Sequence, residues 1–152
     1  MIDEGGAPTT PPPADLRDSI SPQIWAILHE TACEAMECAY APYSDFQVGA
    51  AALVNDGRIV SGCNVENAGY GVTLCAECGL ISELVRTGGG KLAAFVCVDK
   101  NGSPCAPCGR CRQLLNEHSL PTTLLAMPDG IMTMEEVLPG AFGPNNLHPQ
   151  EK

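Results

Sequence analysis

The chain predicts an α/β sandwich built on a mixed sheet. Three observations carry that expectation. Apolar residues recur at helical spacing after Ser21-Pro22, apolar runs at 48–66 and 91–99 read as strands, and helical and strand-like segments then alternate toward the C-terminus. With 152 residues and 45% apolar content, the chain has the size and core material of one domain.

The elements follow in order. Gly5, Gly6, Pro8 and Pro11 to Pro13 leave little to bury, so residues 1–20 read as a disordered, proline-rich tail and residues 21–148 as the domain. Ser21 is a good N-cap and Pro22 suits the first helical position. Ile24, Ile27, Leu28, Thr31, Ala32, Ala35, Met36 and Ala39 then mark one helix face. "VGAAALVNDGRIVSGCNVE" reads as two strands turning at Asn55-Asp56-Gly57, with Gly49 and the alanines packed closely against a helix. A second helix is expected from near Thr73 to about Thr87, with Leu74, Cys78, Ile81 and Val85 on one side and "GGG" ending it. "KLAAFVCVD" reads as a buried strand. A short helix from about Cys108 to His118, a strand over 122–127, and a last strand and helix around 131–138 complete the set.

Composition removes several classes of function. Lys and Arg total 8 against 18 Asp and Glu, giving a net charge of −10, which repels phosphate backbones and argues against a nucleic-acid partner. The acidic start lacks a basic n-region and apolar run, and the longest apolar stretches, such as "LAAFVCV", are far too short to span a membrane. A reduced, cytoplasmic setting is therefore expected. There, nine cysteines read as metal ligands or small buried apolar residues rather than cross-links.

The chemistry concentrates in "PCAPCGRC" (104–111), which contains Pro-Cys-x-x-Cys twice, and in "CAEC" (75–78). Two arrangements are open. Cys75, Cys78, Cys108 and Cys111 could close a structural four-thiolate zinc knuckle, although a domain with ample core has little need of one. Alternatively, three cysteines could hold the metal, leaving a position for water beside a carboxylate that is not a ligand, for which Glu77 is the candidate. Cysteines in the first turns of two helices would have their thiolates stabilised by the helix dipoles. Cys108 and Cys111 would share a face, and Cys75 would come from the other helix.

Five separated motifs, "AYAPYSDFQVGAAL", "NVENAGYG", "TLCAE", "PCGRCRQ" and "LPGAFGP", together resemble the small, homotetrameric zinc cytidine deaminases over roughly residues 22–148. The resemblance implies a three-layer α/β/α sandwich with a mixed five-stranded sheet. It implies one Zn2+ per subunit on Cys75, Cys108 and Cys111, with Cys105 outside the ligand set because Arg112 and Gln113 follow the last ligand. Glu77 would be the general acid/base that moves protons during hydrolytic deamination of cytidine and deoxycytidine in pyrimidine salvage. Asn64 and Glu66 would bind the sugar hydroxyl, Phe46 would pack near base and ribose, and the backbone of Ala76 would meet the base. Tyr70 and Phe142 would reach a neighbouring subunit's site in a homotetramer with sites at its interfaces. The chain departs from the family in one respect: Cys78 stands where many members have arginine. Either the helix dipoles suffice there, or Arg110 or Arg112 takes that role, and Cys78 reads as an inert helix position.

Two rival functions remain at the level of sequence. One is deamination of a related aminopyrimidine nucleoside such as blasticidin S, against which the intact Asn64-x-Glu66 pair argues. The other is a non-catalytic zinc-stabilised module, which requires a fourth thiolate. His29, His118 and His148 lack spacing partners and fall outside the site.

Overall fold

The structure, a computed structural model, describes residues 15–147. Its elements are α1 (Pro22–Glu37), β1 (Gly49–Val54), β2 (Ile59–Cys63), α2 (Ala76–Arg86), β3 (Leu92–Val98), α3 (Gly109–Glu117), β4 (Ser119–Met127), β5 (Gly130–Thr133), α4 (Met134–Val137) and α5 (Pro144–Leu147). The sheet has five strands in the order β2-β1-β3-β4-β5. β3 and β4 are parallel and every other neighbouring pair is antiparallel, so the sheet is mixed.

Alternation along the central strands divides the core in two. Ala51, Ala94, Val96 and Val98 face Leu28, Ala32 and Met36 of α1. Ala50, Ala52, Phe95, Cys97 and Leu125 face the opposite layer, which includes Leu80 and Leu84 of α2, Leu115 of α3 and Met134 of α4. A period of two in the strands thus puts a helical layer on each face, which is the three-layer sandwich.

The helix ends explain where the helices begin and stop. The Ser21 side chain accepts the Ile24 N–H at 3.2 Å, and Pro22 fills the first turn. Ile27, expected on the buried face, is instead 45% exposed, because α1 covers the sheet with the narrower stripe of Leu28, Ala32 and Met36. The second helix begins three residues later than expected. Residues 70–72 form a 3-10 turn, Leu74 pairs with Val65, and Cys75 is the N-cap. Its buried face is Ala76, Glu77, Leu80, Ile81 and Leu84, while Leu74 and Val85 are exposed. The corrected helical phase places Glu77 on the inward side.

The expected tail also needs correction at its end. Residues 15–20 belong to the fold: Leu16–Asp18 form a 3-10 turn, Arg17 donates to Glu136 at 2.7 Å and to the Ile131 carbonyl at 3.0 Å, and Ile20 packs on the core under α1. The pair is exposed and screened by solvent, so it orients the segment more than it stabilises it. The remainder of the proposed tail, residues 1–14, and His148 lie outside the described residues.

Two glycines set the distance between layers. A Cβ at Gly49 would overlap the Ala32 carbonyl and Met36 nitrogen of α1. One at Gly62 would overlap the Ala76 carbonyl and the Leu80 nitrogen of α2. The helix start that carries Cys75 and Glu77 therefore rests on bare backbone of β2. Gly62→Ala is expected to destabilise the protein by about 1–3 kcal/mol, as overpacking typically does. Urea unfolding measures this, and an unchanged midpoint would mean that α2 is not seated on β2 as described.

Candidate active site

α2 and α3 begin beside each other, and both N-caps are cysteines. Cys75 caps α2 and Cys108 caps α3, while Cys111 lies one turn into α3 and is buried. The sulfurs of Cys75, Cys108 and Cys111 lie within 4.8 Å of one another, and among the described residues they form the only such group of three potential metal-binding side chains. Cys78 is half-buried and outside that group, as is Cys105. The four-thiolate arrangement is thus not what the fold assembles.

The thiols respond to this crowding. Burial pushes the Cys75 and Cys111 thiols above the ordinary range, with the Glu77 carboxylate adding to the effect on both. At Cys108 burial also works upward, but the backbone N–H groups of Cys111 and Arg110 and the neighbouring thiols outweigh it and hold the group below the ordinary range.

Arg112 is committed elsewhere than to a thiolate. Its Nε donates to the Pro107 carbonyl at 2.9 Å and a terminal nitrogen to the Val137 carbonyl at 3.1 Å. It clamps the loop before Cys108 to the end of α4, while Arg110 is exposed. The orphan N–H groups at the start of α3 are thus positive features that act directly on a sulfur, that of Cys108.

A cavity of about 210 Å³ opens beside these sulfurs, with Phe46, Asn64, Cys75, Ala76, Glu77 and Cys108 among its lining residues. Glu77 is 3% exposed and sits in the first turn of α2. Its carboxylate is close enough to the Cys97 and Cys111 thiols to push both upward. Phe46 forms a half-exposed wall.

Asn64 and Glu66 organise the loop that carries Phe46. Asn64 accepts the Val48 N–H and donates to the Phe46 carbonyl, both at 2.8 Å. Glu66 Oε1 accepts the Tyr43 and Ser44 N–H groups at 3.0 and 3.1 Å. Asn64 still faces the cavity, whereas Glu66 and Tyr70 line an adjoining recess that shares Thr73 with it. Tyr70, 78% exposed, meets Tyr43 edge-on with ring centroids 6.4 Å apart. Phe142 is exposed and outside the cavity, its carbonyl accepting Gln113 Nε2 at 2.9 Å. Within one chain, then, Cys75, Cys108, Cys111, Glu77, Ala76, Phe46 and Asn64 come together, and Glu66, Tyr70 and Phe142 do not join them.

Sequence reading missed Cys97 and undervalued Cys105, both of which line the cavity. Alternation two residues after the core residue Phe95 would have pointed Cys97 to the site's side of the sheet. A hydrogen bond from Cys97 draws the Cys105 thiol down to about 7 against the effect of burial, and the same bond together with burial pushes Cys97 up.

Residues 25–127 match the family described as the cytidine and deoxycytidylate deaminase zinc-binding region. The cytidine deaminase of Mycobacterium tuberculosis (strain CDC 1551 / Oshkosh) is 52% identical over 128 residues, covering 84% of this chain and 96% of that protein. That of Halalkalibacterium halodurans is 38% identical over 127 residues, covering 80% and 96%. The crystal structure of cytidine deaminase from Mycobacterium leprae superposes with a TM-score of 0.74 at 55% identity, covering 76% of this chain and 97% of that one.

Two outcomes follow from this geometry. Arg112→Ala leaves the Pro107 and Val137 carbonyls without their donor and is expected to lose about 1–3 kcal/mol in urea unfolding; unchanged stability would show that the clamp is immaterial. The Ser44 side chain first, and then the Ser44 and Tyr43 amides, hold the Glu66 carboxyl below its ordinary range against the opposing effect of desolvation. A depressed folded value means a contribution fully present above the unfolded pKa and lost as pH falls through the folded one. Glu66→Gln should therefore flatten the acid side of a stability-versus-pH curve, and an unaltered curve would contradict the assignment.

Proposed function

The chain belongs to the cytidine and deoxycytidylate deaminase zinc-binding family, and from that premise we propose that it hydrolyses cytidine and 2'-deoxycytidine to uridine and 2'-deoxyuridine in pyrimidine salvage. The observation that carries this reading is one cavity into which Glu77 faces beside three clustered cysteine sulfurs at two adjoining helix starts.

The donor set suits zinc. Three sulfurs already gathered on rigid elements, two of them raised by burial as isolated thiols, are stabilised as thiolates by a divalent cation. Cys75, Cys108 and Cys111 would hold one zinc per subunit and leave a fourth position open. When bound, the metal supplies the Lewis acidity that makes a water reactive near neutral pH.

The chain's own groups do the rest. Glu77, fixed by the first turn of α2 on Gly62, receives the proton of the attacking water and hands it to ring N3. It then serves the departing amino nitrogen, so that ammonia leaves and the ring becomes uracil. Because Glu77 is buried, the proton stays between carboxylate and substrate rather than exchanging with bulk water. The Ala76 N–H, unpaired at the helix start, can meet the base, with Phe46 beside it. Asn64 retains one amide N–H, and Glu66 its Oε2, for a sugar hydroxyl.

The subunits assemble as a homotetramer with sites at their interfaces. Supporting this, Tyr70, Val72 and Phe142 are large apolar side chains exposed by more than half, close to a site that Glu66, Tyr70 and Phe142 do not complete within one chain. The partners are small nucleosides, and the net charge of −10 disfavours nucleic acid. No helix among the described residues is long and apolar enough to cross a membrane. A reduced cytoplasm suits the nine free cysteines. The domain proposed at 21–148 is described as far as residue 147 and is joined by residues 15–20.

The test is an ultraviolet time course with cytidine, deoxycytidine and blasticidin S in parallel. Turnover of the two nucleosides is expected, falling about 10²–10⁴-fold in Glu77→Gln with zinc retained, the usual contribution of a general acid/base. Zinc bound with no turnover of any substrate would replace this reading with a structural zinc site. Cys108→Ser should lose zinc and Cys105→Ser should keep it; the reverse would exchange their roles.

A further inference from the structure

The doubled Pro-Cys-x-x-Cys leaves Cys105 without a part in the metal site, yet the fold gives it a defined partner. After β3 leaves β4, the chain doubles back to pair with its own end. Val98 bridges Pro104, the Cys105 N–H donates to the Cys97 carbonyl at 2.9 Å, and the Asp99 N–H donates to the Ser103 carbonyl at 3.0 Å. In this antiparallel register Cys97 stands directly opposite Cys105. Opposed residues at such a position have Cα atoms about 5.5 Å apart, inside the roughly 4.4–6.8 Å that a disulfide spans. Both side chains lie on the same face of the sheet, since Cys97 belongs to the core cluster under α2 and Cys105 packs against that cluster. Both also line the cavity that holds Glu77. Cys97 is buried, but Cys105 is reachable from the cavity.

We propose that Cys97 and Cys105 are an oxidisable dithiol in the wall of the substrate cavity, which a small peroxide converts to a disulfide and which thereby shuts the site. Cys105, the more accessible sulfur, attacks a peroxide oxygen. The O–O bond breaks, one water leaves after protonation, and Cys105 becomes a sulfenic acid. The Cys97 sulfur then attacks that sulfur, the S–O bond breaks, and the second water carries away the Cys97 proton. Two thiols lose two electrons, and hydrogen peroxide is reduced to two waters.

The consequence for the site is geometric. Cys97 lies against the Glu77 carboxylate, and Cys105 precedes Cys108 by three residues on the loop clamped by Arg112. The backbone is already at disulfide spacing, but closing the two sulfurs to about 2 Å moves the side chains that wall the cavity beside Glu77 and strains the loop that leads to Cys108. A misplacement of about 1 Å at reacting groups can cost up to about a hundredfold in rate. The part of the proposal concerning rate rests on the deaminase reading, whereas the cross-link does not.

The experiment uses the zinc-loaded full chain and hydrogen peroxide. Remaining thiols are alkylated, the protein is digested without reduction, and linked peptides are identified by mass; released zinc and the rate of cytidine deamination are followed alongside. The expected result is a Cys97–Cys105 linked peptide, zinc retained, and a rate about tenfold or more below the untreated protein, restored by dithiothreitol. Cys105→Ser, compared with its own untreated rate, should keep its activity in peroxide, and Cys97→Ala supplies a second variant that cannot form the link. Oxidation at other cysteines without this peptide overturns the proposal, as does the peptide with an undiminished rate, or equal peroxide sensitivity in Cys105→Ser. A protein that forms the link but deaminates no nucleoside before oxidation counts against the deaminase reading and leaves the dithiol assignment standing.

Discussion

Three cysteine sulfurs within 4.8 Å of one another, from two helices, require that the helix starts be brought together and held there. Like ends of helix dipoles repel, and buried thiols resist ionisation, so neither helix would choose this neighbour on its own account. The arrangement persists because each helix is fixed by something remote from the sulfurs. α2 is seated on the bare backbone of β2 at Gly62, and its Leu80, Ile81 and Leu84 are buried against the sheet. α3 is held by Leu115 in the same core and by Arg112, which joins the Pro107 loop to the end of α4. The opposing layer depends on the same principle, with α1 settled on Gly49. The apolar core therefore supplies the stability that the polar site consumes, and a cation among the sulfurs turns an unfavourable cluster into a favourable one.

How much of this was legible in the sequence depended on how local the determining physics was. The hairpin at Asn55-Asp56-Gly57, the Ser21-Pro22 helix start and the triple glycine after α2 are local signals, and the structure follows them. The start of α2 was misplaced because Thr73 and Leu74 look compatible with a helix. What removes them is the non-local pairing of Leu74 with Val65, which no window along the chain reveals. That error shifted the apparent buried face to Leu74 and Val85, although the true face, Glu77 with Leu80, Ile81 and Leu84, keeps the same helical spacing. Cys97 was hidden for the opposite reason: alternation from Phe95 gives its side of the sheet, but a small residue inside a fully apolar strand carries no mark that a cavity rather than core lies there.

Asn64 and Glu66 illustrate why a motif can be recognised while its physical role is only half understood. Both are engaged with main-chain amides of the 43–48 loop, and through that loop they set the position of Phe46. A residue used in this way is already ordered before a ligand arrives, so it contributes remaining hydrogen-bonding capacity without a further entropic cost. Scaffold and ligand contact are two uses of the same ordered groups. Replacing either residue would disturb the loop as well as remove the sugar contact proposed above, and loss of affinity alone would not apportion the two.

Cys78 tests how little compensating charge the site needs. An arginine at that position in related chains would place a cation near three thiolates. Here the two arginines that follow Cys108 do not substitute for it: Arg112 is spent on two carbonyls and Arg110 is exposed. The remaining positive potential comes from backbone N–H groups at the starts of α2 and α3, two of which, from Cys111 and Arg110, already pull the Cys108 thiol down. Helix N-termini differ from an arginine in that they cannot rotate away and carry no mobile side chain to order. A chain of net charge −10 can therefore hold an anionic donor set by geometry, provided that the packing beneath the two helix starts does not yield.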